Sequence, residues 1–209
     1  MLGNVPLYLV FSVMGFFLGS IMFSLILPQH FKGIDVRRVS DDGNPGTANA
    51  VKYGGILLGM FCLLGDLLKA GLPVYLARRY CGAQSPLFAL VMISPVLGHA
   101  FSPFLGGKGG KAIAPAFGVL AAVYPQDSSV CVLAIAFIFF SLILVITPDR
   151  LKAIVAFSVL LLYSFLFNPN ASIALGSILL SIVVIIKHLR PLPEEVAGIS
   201  FLRKRKQAL

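Results

Sequence analysis

The chain has little of what a water-soluble domain of its size needs. Only 12% of its 209 residues are charged, tryptophan is absent, and acidic residues number 8 against 17 lysines and arginines. Hydrophobic residues make up 58% of the chain, and the mean hydropathy is +0.93. This apolar surface exceeds what one soluble core can hide, which excludes a water-soluble domain and predicts a membrane protein.

The scarcity of cysteine and histidine excludes further chemistry. Cys62, Cys81 and Cys131 are odd in number and lie far apart in or near apolar segments, which predicts reduced packing residues rather than disulfides. The three histidines and three cysteines form no set with metal-ligand spacing. The sequence therefore predicts no metal site and no cofactor.

Long apolar runs dominate the remainder of the sequence. A bilayer core of about 30 Å requires about 20 apolar residues per helix, and the runs predict seven membrane-spanning helices near residues 4–27, 55–77, 86–105, 112–125, 129–147, 153–167 and 171–187. The fourth run is short and contains Pro115, so six spans remain the alternative. The predicted fold class is all-α and polytopic, with one membrane domain over residues 1–209 that ends in a basic tail at 191–209.

The basic residues predict how the chain is oriented. With the N-terminus outside, nearly all lysines and arginines fall on the cytoplasmic side, and Arg78 and Arg79 fall outside. The C-terminus is then cytoplasmic. The net charge of +9 is explained by this topology, and the RKRK run at 203–206 indicates contact with anionic headgroups rather than with nucleic acid.

Polar residues gather in a few places between the apolar runs. In the loop from Pro28 to Gly54, Asn44, Pro45 and several glycines favour turns, whose backbone N–H groups can form an anion-binding nest. Asp66 and Lys69 lie three residues apart on one face of the second predicted helix. Charges inside a span are unfavourable unless they pair or face a polar cavity.

A glycine-rich segment, HAFSPFLGGKGGK at residues 99–111, predicts a phosphate site. Glycine allows close approach of the backbone, and a helix that begins near Lys111 directs its free N–H groups back at the loop. The P-loop pattern fails, because Leu105 stands at its first glycine position and Ala112 at its hydroxyl position. A triad of Ser102, His99 and Asp66 is an alternative that the spacing does not test.

A fourth cluster, at the end of the last predicted helix, is weak evidence alone. Its members are Lys187, His188 and Arg190. An ordinary basic helix end on the cytoplasmic side would look much the same.

Three of these stretches resemble the motif regions of a known family. GNPGTAN at 43–49, DLLKAGLP at 66–73 and LGHAFSPFLGGKGGK at 97–111 are similar, in the same order, to those of the bacterial PlsY-type acyl-phosphate:glycerol-3-phosphate acyltransferases. The resemblance implies a multi-pass protein of the bacterial plasma (inner) membrane with its active site on the cytoplasmic side. It implies transfer of a fatty acyl group from acyl phosphate to the 1-hydroxyl of glycerol 3-phosphate, which forms lysophosphatidic acid in phospholipid biosynthesis without a metal or an acyl carrier protein.

The resemblance also implies roles for individual residues. His99 and Lys111 are the predicted catalytic residues. His99 orients a substrate or accepts a proton, and a purely structural hydrogen-bonding role is the alternative. Asp66 and Lys69 are predicted to support the site as an ion pair. The residues predicted to bind the two substrates are Asn44, Gly46, Thr47, Asn49, Lys52, Lys108, Gly109, Gly110 and His188.

Several positions depart from the family pattern. Asp42 stands where the family has a serine, and a carboxylate there would repel a phosphate. Other departures, each of which removes a donor or a bidentate cation, are Lys52, Ala153, Ala156, Pro191 and Glu194. Hydroxyl groups that would replace the lost donors are those of Ser40, Thr147 and Ser158.

These departures leave three interpretations open. The first is an active acyltransferase with a rearranged pocket. The second is a non-catalytic homologue that binds a phospholipid or acyl phosphate. The third is an anion transporter.

Overall fold

The computed structural model describes residues 4–189 and 196–202. These residues form helices α1 (Val5–Ser20), α2 (Phe23–Lys32), α3 (Val36–Val39), α4 (Thr47–Gly54), α5 (Ile56–Cys81), α6 (Leu87–Ala100), α7 (Ile113–Val123), α8 (Ser129–Ile138), α9 (Asp149–Phe167) and α10 (Ala171–His188), with strands β1 (Leu144–Thr147) and β2 (Gly198–Phe201). The predicted tail at 191–209 lies mostly outside these residues, as do Arg190, Pro191 and Glu194.

Five segments within the described residues are long and apolar enough to cross a membrane. They are Val5–Lys32, Ile56–Cys81, Leu87–Leu105, Asp149–Phe167 and Ala171–His188. Two shorter apolar helical segments, Ile113–Val123 and Ser129–Ile143, accompany them. The prediction of an all-α polytopic membrane protein is confirmed at this level.

The structure corrects two boundaries. The predicted span over 129–147 ends in a π-helical turn at Ile143, and residues 144–147 form β1, which pairs antiparallel with β2. Three β-branched residues in succession favour the strand. The segment 28–54, predicted as a loop rich in turns, contains α3 and α4. The turn residues at 44–46 lie directly before the N-terminus of α4 and do not extend through the segment.

The first predicted span is broken between α1 and α2. Ile21 adopts an extended conformation, so the last carbonyl groups of α1 lose their helical partners. The Ser102 hydroxyl donates to the Ser20 carbonyl oxygen at 2.8 Å, and the Lys69 ammonium donates to that of Ile21. These side chains replace the water that a membrane interior does not supply.

Glycines allow the central helices to pack with their backbones close together. A Cβ at Gly98 of α6 would lie 2.0 Å from the Phe16 carbonyl oxygen of α1, and one at Gly19 would lie 2.2 Å from that of Pro95. Gly118 of α7 approaches α5 in the same way. Small residues are the usual means of close helix association in lipid, where burial of apolar surface adds little.

Hydrogen bonds gather alternate helix ends at one end of the bundle. Tyr8 at the start of α1 donates to the Cys81 carbonyl oxygen at the end of α5, at 2.7 Å. The Asn168 side chain, after α9, donates to Asp127, before α8, at 2.6 Å. The opposite helix ends, with the segment that contains α3 and α4, surround the cavity described next.

Candidate active site

A cavity of about 670 Å³ lies where α6 ends and α7 begins. One part of its wall is apolar and consists of Leu63, Leu67, Ile113 and Phe117. The other part carries polar and charged side chains: Asp41, Asp42, Asn44, Thr47, Asn49, Asp66, His99, Lys111, Asp149, Arg150 and His188. A cavity of this size with a divided wall suits a ligand that has a polar head and an apolar chain.

The structure brings most predicted site residues to this cavity, but not the two surface lysines. Lys52 and Lys108 are not among the described residues that line it. Lys52 is exposed and lies 3.3 Å from Asp41, and Lys108 is also exposed. The structure thus shows these lysines outside the cavity lining, and their role in binding glycerol 3-phosphate stays a prediction. The sequence showed their charge, but it did not show where the chain directs them.

The glycines at 109 and 110 serve close packing of the loop. The Gly110 N–H donates to the His99 carbonyl oxygen at 3.0 Å. A Cβ at Gly110 would lie 2.3 Å from His99 Nε2, and one at Gly109 would lie 1.9 Å from the His99 carbonyl oxygen. The loop thus folds back against the end of α6 and uses the Gly110 N–H within the fold, and substrate binding by Gly109 and Gly110 stays a prediction.

Lys111 and Asp42 form an ion pair at the polar wall. The Lys111 Nζ lies 2.8 Å from Asp42 Oδ2. Asp42 Oδ1 accepts hydrogen bonds from the Asn49 side chain at 2.8 Å and from the Asn44 backbone N–H at 3.1 Å. Burial raises the pKa of Asp42, but the hydrogen bonds from Lys111, Asn49 and Asn44 outweigh it, so the pKa lies below its usual value. Asp42 is therefore ionised at neutral pH.

A buried chain of polar contacts runs from Thr47 towards α6. The Thr47 and Ser24 hydroxyls are 3.3 Å apart, and Ser24 donates to Asp66 Oδ2 at 2.6 Å. Asp66 Oδ1 lies 2.7 Å from Lys69 Nζ, with both side chains almost fully buried. The predicted ion pair is present. Ser24 escaped the sequence analysis because its partners are 23 and 42 residues away in the chain.

The same lysine determines the state of His99. Lys69 Nζ lies 3.0 Å from His99 Nδ1, and an ammonium group can only donate. Nδ1 must therefore accept, so the hydrogen-bond pattern assigns the ring proton to Nε2. His99 then offers an N–H donor, which favours orientation of a substrate over acceptance of a proton.

His188 has the opposite arrangement. Its Nδ1 lies 2.7 Å from the Val184 carbonyl oxygen, which can only accept. The proton is therefore on Nδ1, and the neutral ring keeps Nε2 as an acceptor. Neighbouring Lys187 donates to the carbonyl oxygens of Ala100 and Gly109, at 2.8 and 3.3 Å, and so ties α10 to the glycine-rich loop.

The predicted replacement hydroxyls do not face this cavity. Thr147 donates to the Gly198 carbonyl oxygen at 3.2 Å, and Ser158 donates to that of Ile154 at 2.8 Å. Within the part of the chain that the structure describes, Ser40 is likewise outside the cavity lining. Arg150 lines the cavity, and the sequence analysis missed it as a site residue. The sequence feature that could have indicated it is a basic residue in the first turn of a helix.

The fold and the site together define a class: a polytopic membrane protein with a cavity that polar and apolar side chains line together. The family model described as "Glycerol-3-phosphate acyltransferase" matches residues 9–198. The chain belongs to the glycerol-3-phosphate acyltransferase family. The predicted family and enzyme class, a membrane glycerol-3-phosphate acyltransferase of phospholipid biosynthesis, are thus confirmed.

Relatives and solved structures support this assignment over most of the chain. A glycerol-3-phosphate acyltransferase of Trichlorobacter lovleyi is 37% identical over 88% of this chain and 91% of that protein. One from Neisseria gonorrhoeae is 31% identical over 88% and 90%. One from Thermotoga petrophila is 43% identical, but the match spans only 53% of this chain and 56% of that protein.

The solved structures are of an integral membrane glycerol 3-phosphate acyltransferase, PlsY. Its glycerol 3-phosphate form has a TM-score of 0.75 and 29% identity, over 87% of this chain and 88% of that chain. Its lysophosphatidic acid form has the same TM-score and 28% identity. The anion transporter interpretation is thereby contradicted.

Proposed function

We propose that the cavity transfers a fatty acyl group from acyl phosphate to the 1-hydroxyl of glycerol 3-phosphate and forms lysophosphatidic acid. The observation that carries this proposal is the convergence of Lys111, Asn49 and the Asn44 backbone N–H on one anionic group. This donor set lies beside an apolar wall, and acyl phosphate combines a phosphate with an apolar chain.

Each substrate has a place in the proposal. The phosphate of acyl phosphate binds against Lys111, Asn44 and Thr47, and its acyl chain lies along the apolar wall. Glycerol 3-phosphate lies beside His188 and Arg150, the other side chains of the wall that suit an anion or a hydroxyl. Gly46, Gly109 and Gly110 shape the loops, and Asp66 and Lys69 support them.

The chemistry requires little from the protein beyond positioning. The glycerol hydroxyl attacks the acyl carbonyl carbon, a carbon–oxygen bond forms, and the bond to the leaving phosphate breaks with its electron pair. Negative charge grows on the carbonyl oxygen and on the phosphate, where His99 Nε2–H and Lys111 stabilise it. One such preorganised donor contributes about 3 kcal/mol. The hydroxyl proton passes to the leaving phosphate or to His188 Nε2.

The topology belongs to the same proposal. Each of seven apolar segments, the two short ones included, passes between the two ends of the bundle, with the N-terminus outside and the C-terminus in the cytoplasm. Alternate helix ends at the cavity support this arrangement, as does the position of Arg78 and Arg79 at the other end. The active site then faces the cytoplasm of a bacterial cell, within one domain over residues 1–209.

The test is release of phosphate from palmitoyl phosphate by the purified protein, with and without glycerol 3-phosphate, together with detection of lysophosphatidic acid. Release that depends on glycerol 3-phosphate and yields that lipid supports the proposal. A folded protein that binds palmitoyl phosphate without release favours the second candidate, a non-catalytic binding homologue. The observation in favour of that candidate is the Asp42 carboxylate on Lys111.

A further inference from the structure

The Asp42 carboxylate occupies the donor set that the proposed function assigns to a substrate phosphate. Its Oδ2 is held by Lys111 at 2.8 Å, and its Oδ1 is held by Asn49 and by the Asn44 backbone N–H at 2.8 and 3.1 Å. A cation, a side-chain amide and a backbone N–H are the groups with which proteins bind phosphate. All three converge on a negative charge that the chain itself supplies.

This arrangement has a cost and a benefit for a ligand. The carboxylate holds the donors in position before the ligand arrives, so little ordering remains to be done on binding. It also repels an incoming anion and competes with it for Lys111. A phosphate with nearly two negative charges and three terminal oxygens can displace a carboxylate from an ammonium, whereas another carboxylate gains nothing by the exchange.

We propose that Asp42 is an internal competitor for the substrate phosphate. It pairs with Lys111 before the acyl donor binds and yields Lys111 to the phosphate of that donor. In this role Asp42 weakens donor binding, and it selects phosphate over the carboxylate of a free fatty acid. The inference rests on the proposed function, because it takes the phosphate site to be at Lys111.

The experiment measures binding of inorganic phosphate to the full-length protein in detergent, by the shift of its thermal unfolding temperature. Asp42→Asn keeps an acceptor oxygen for Asn44 and Asn49 but removes the charge. We expect it to bind phosphate about tenfold more tightly than the wild type. The KM for palmitoyl phosphate falls to a similar extent, and inhibition by palmitate becomes stronger. Asp42→Ser gives the same result if Asp42→Asn does not fold.

Asp41→Asn is the matched control. It removes the same charge from a neighbouring residue that also lines the cavity, but the Asp41 carboxylate is largely exposed and pairs with Lys52 instead of Lys111. We expect phosphate affinity within twofold of the wild type. An equal gain in both variants would mean that net charge alone is responsible, and it would overturn the inference.

Lys111→Ala separates this inference from the proposed function. If the wild type binds phosphate, Lys111→Ala does not, and the Asp42 variants bind no more tightly than the wild type, the inference is wrong and the phosphate site stands. If Lys111→Ala binds phosphate as the wild type does, the phosphate site is elsewhere and both fail. Loss of phosphate binding in the Asp42 variants would show that Asp42 only positions Lys111, which also overturns the inference.

Discussion

At the scale of single residues, Lys69 joins the site to the helix break. Its ammonium donates to the Ile21 carbonyl oxygen, pairs with Asp66 and holds His99 Nδ1. The contacts with Ile21 and His99 are hydrogen bonds, and the contact with Asp66 Oδ1 is an ion pair at 2.7 Å. Removal of one partner from a buried ion pair typically destabilises a protein by about 3–5 kcal/mol. Lys69 is therefore both a structural residue and a positioning residue for His99.

Lys111→Ala is expected to abolish acyl transfer while the protein stays folded. The side chain is part-exposed and forms an ion pair with Asp42 at the cavity, so its loss affects the cavity more than the core. Loss of one preorganised donor lowers kcat by about 100-fold or more. The measurement is lysophosphatidic acid formation beside a thermal unfolding curve. Lys32→Ala, an exposed lysine outside the cavity, is the control, and full activity of Lys111→Ala would contradict the mechanism.

Ser24→Ala is expected to lower kcat by about tenfold with little change in KM for either substrate. The substitution removes a hydrogen bond to the Asp66 carboxylate, and such a bond contributes about 1.5–3 kcal/mol. Asp66 then holds Lys69 less firmly, and His99 loses its fixed orientation. Steady-state kinetics measure the effect, and Ser24→Thr, which keeps the hydroxyl, restores part of kcat.

A second buried serine provides the control for this prediction. Ser12 donates only to the Tyr8 carbonyl oxygen of its own helix, at 2.8 Å. Ser12→Ala should leave kcat unchanged. An equal loss in both variants would attribute the effect to packing and not to the chain of contacts.

The sequence predicted one part of the buried row of polar contacts, the pair of Asp66 and Lys69, and missed the part that depends on contacts between different helices. Asp66 and Lys69 were found because spacing of three residues on a helix brings side chains together. Ser24 and the tautomer of His99 depend on contacts between α2, α5 and α6, which no local pattern contains. Gly110 shows the same limit. The glycine-rich composition of the segment around it suggested a phosphate site, and only the fold showed that its N–H donates to the His99 carbonyl oxygen.

At the scale of elements, the packing of α1 against α6 holds the end of α6 where the site is built. The prediction is that Gly98→Ala lowers the thermal unfolding temperature by roughly 2–10 °C. A Cβ there would lie 2.0 Å from the Phe16 carbonyl oxygen, so the helices must move apart. Overpacking of this kind usually destabilises by about 1–3 kcal/mol.

Ala121→Val is the matched control for Gly98→Ala. It adds methyl groups at an exposed position of α7. The unfolding temperature should stay within about 1 °C of the wild type. A Gly98→Ala protein as stable as this control would show that α1 and α6 do not depend on close backbone contact.

Helices were predictable where the length of an apolar run is enough to indicate a membrane helix. Each of the seven apolar runs contains a helical segment, and five of these segments are long enough to cross a membrane, where a helix satisfies its own backbone groups. The break at Ile21 was not predictable, since its carbonyl groups are satisfied by Ser102 and Lys69 from distant segments. The β1–β2 pair also escaped prediction, because residues 144–147 are apolar enough to read as the end of a helix.

At the scale of the whole molecule, the orientation in the membrane is open to direct test. In a protein with Cys62, Cys81 and Cys131 replaced by alanine, we expect Arg79→Cys to react with a membrane-impermeant maleimide in intact cells. Lys108→Cys should react only after the membrane is opened. Fluorescent labelling of the purified variants measures both. Reaction of Lys108→Cys in intact cells would reverse the proposed topology.

The divided wall of the cavity has a kinetic consequence. Leu63 lines the cavity and is 39% exposed, and it belongs to α5, which is long and apolar enough to cross a membrane. An acyl chain along this wall thus stays next to the hydrocarbon of the leaflet from arrival to departure. The quantity that governs saturation is then the mole fraction of acyl donor within the bilayer. Additional lipid that lowers this mole fraction slows the reaction, even when the total amount of donor per cell volume is unchanged.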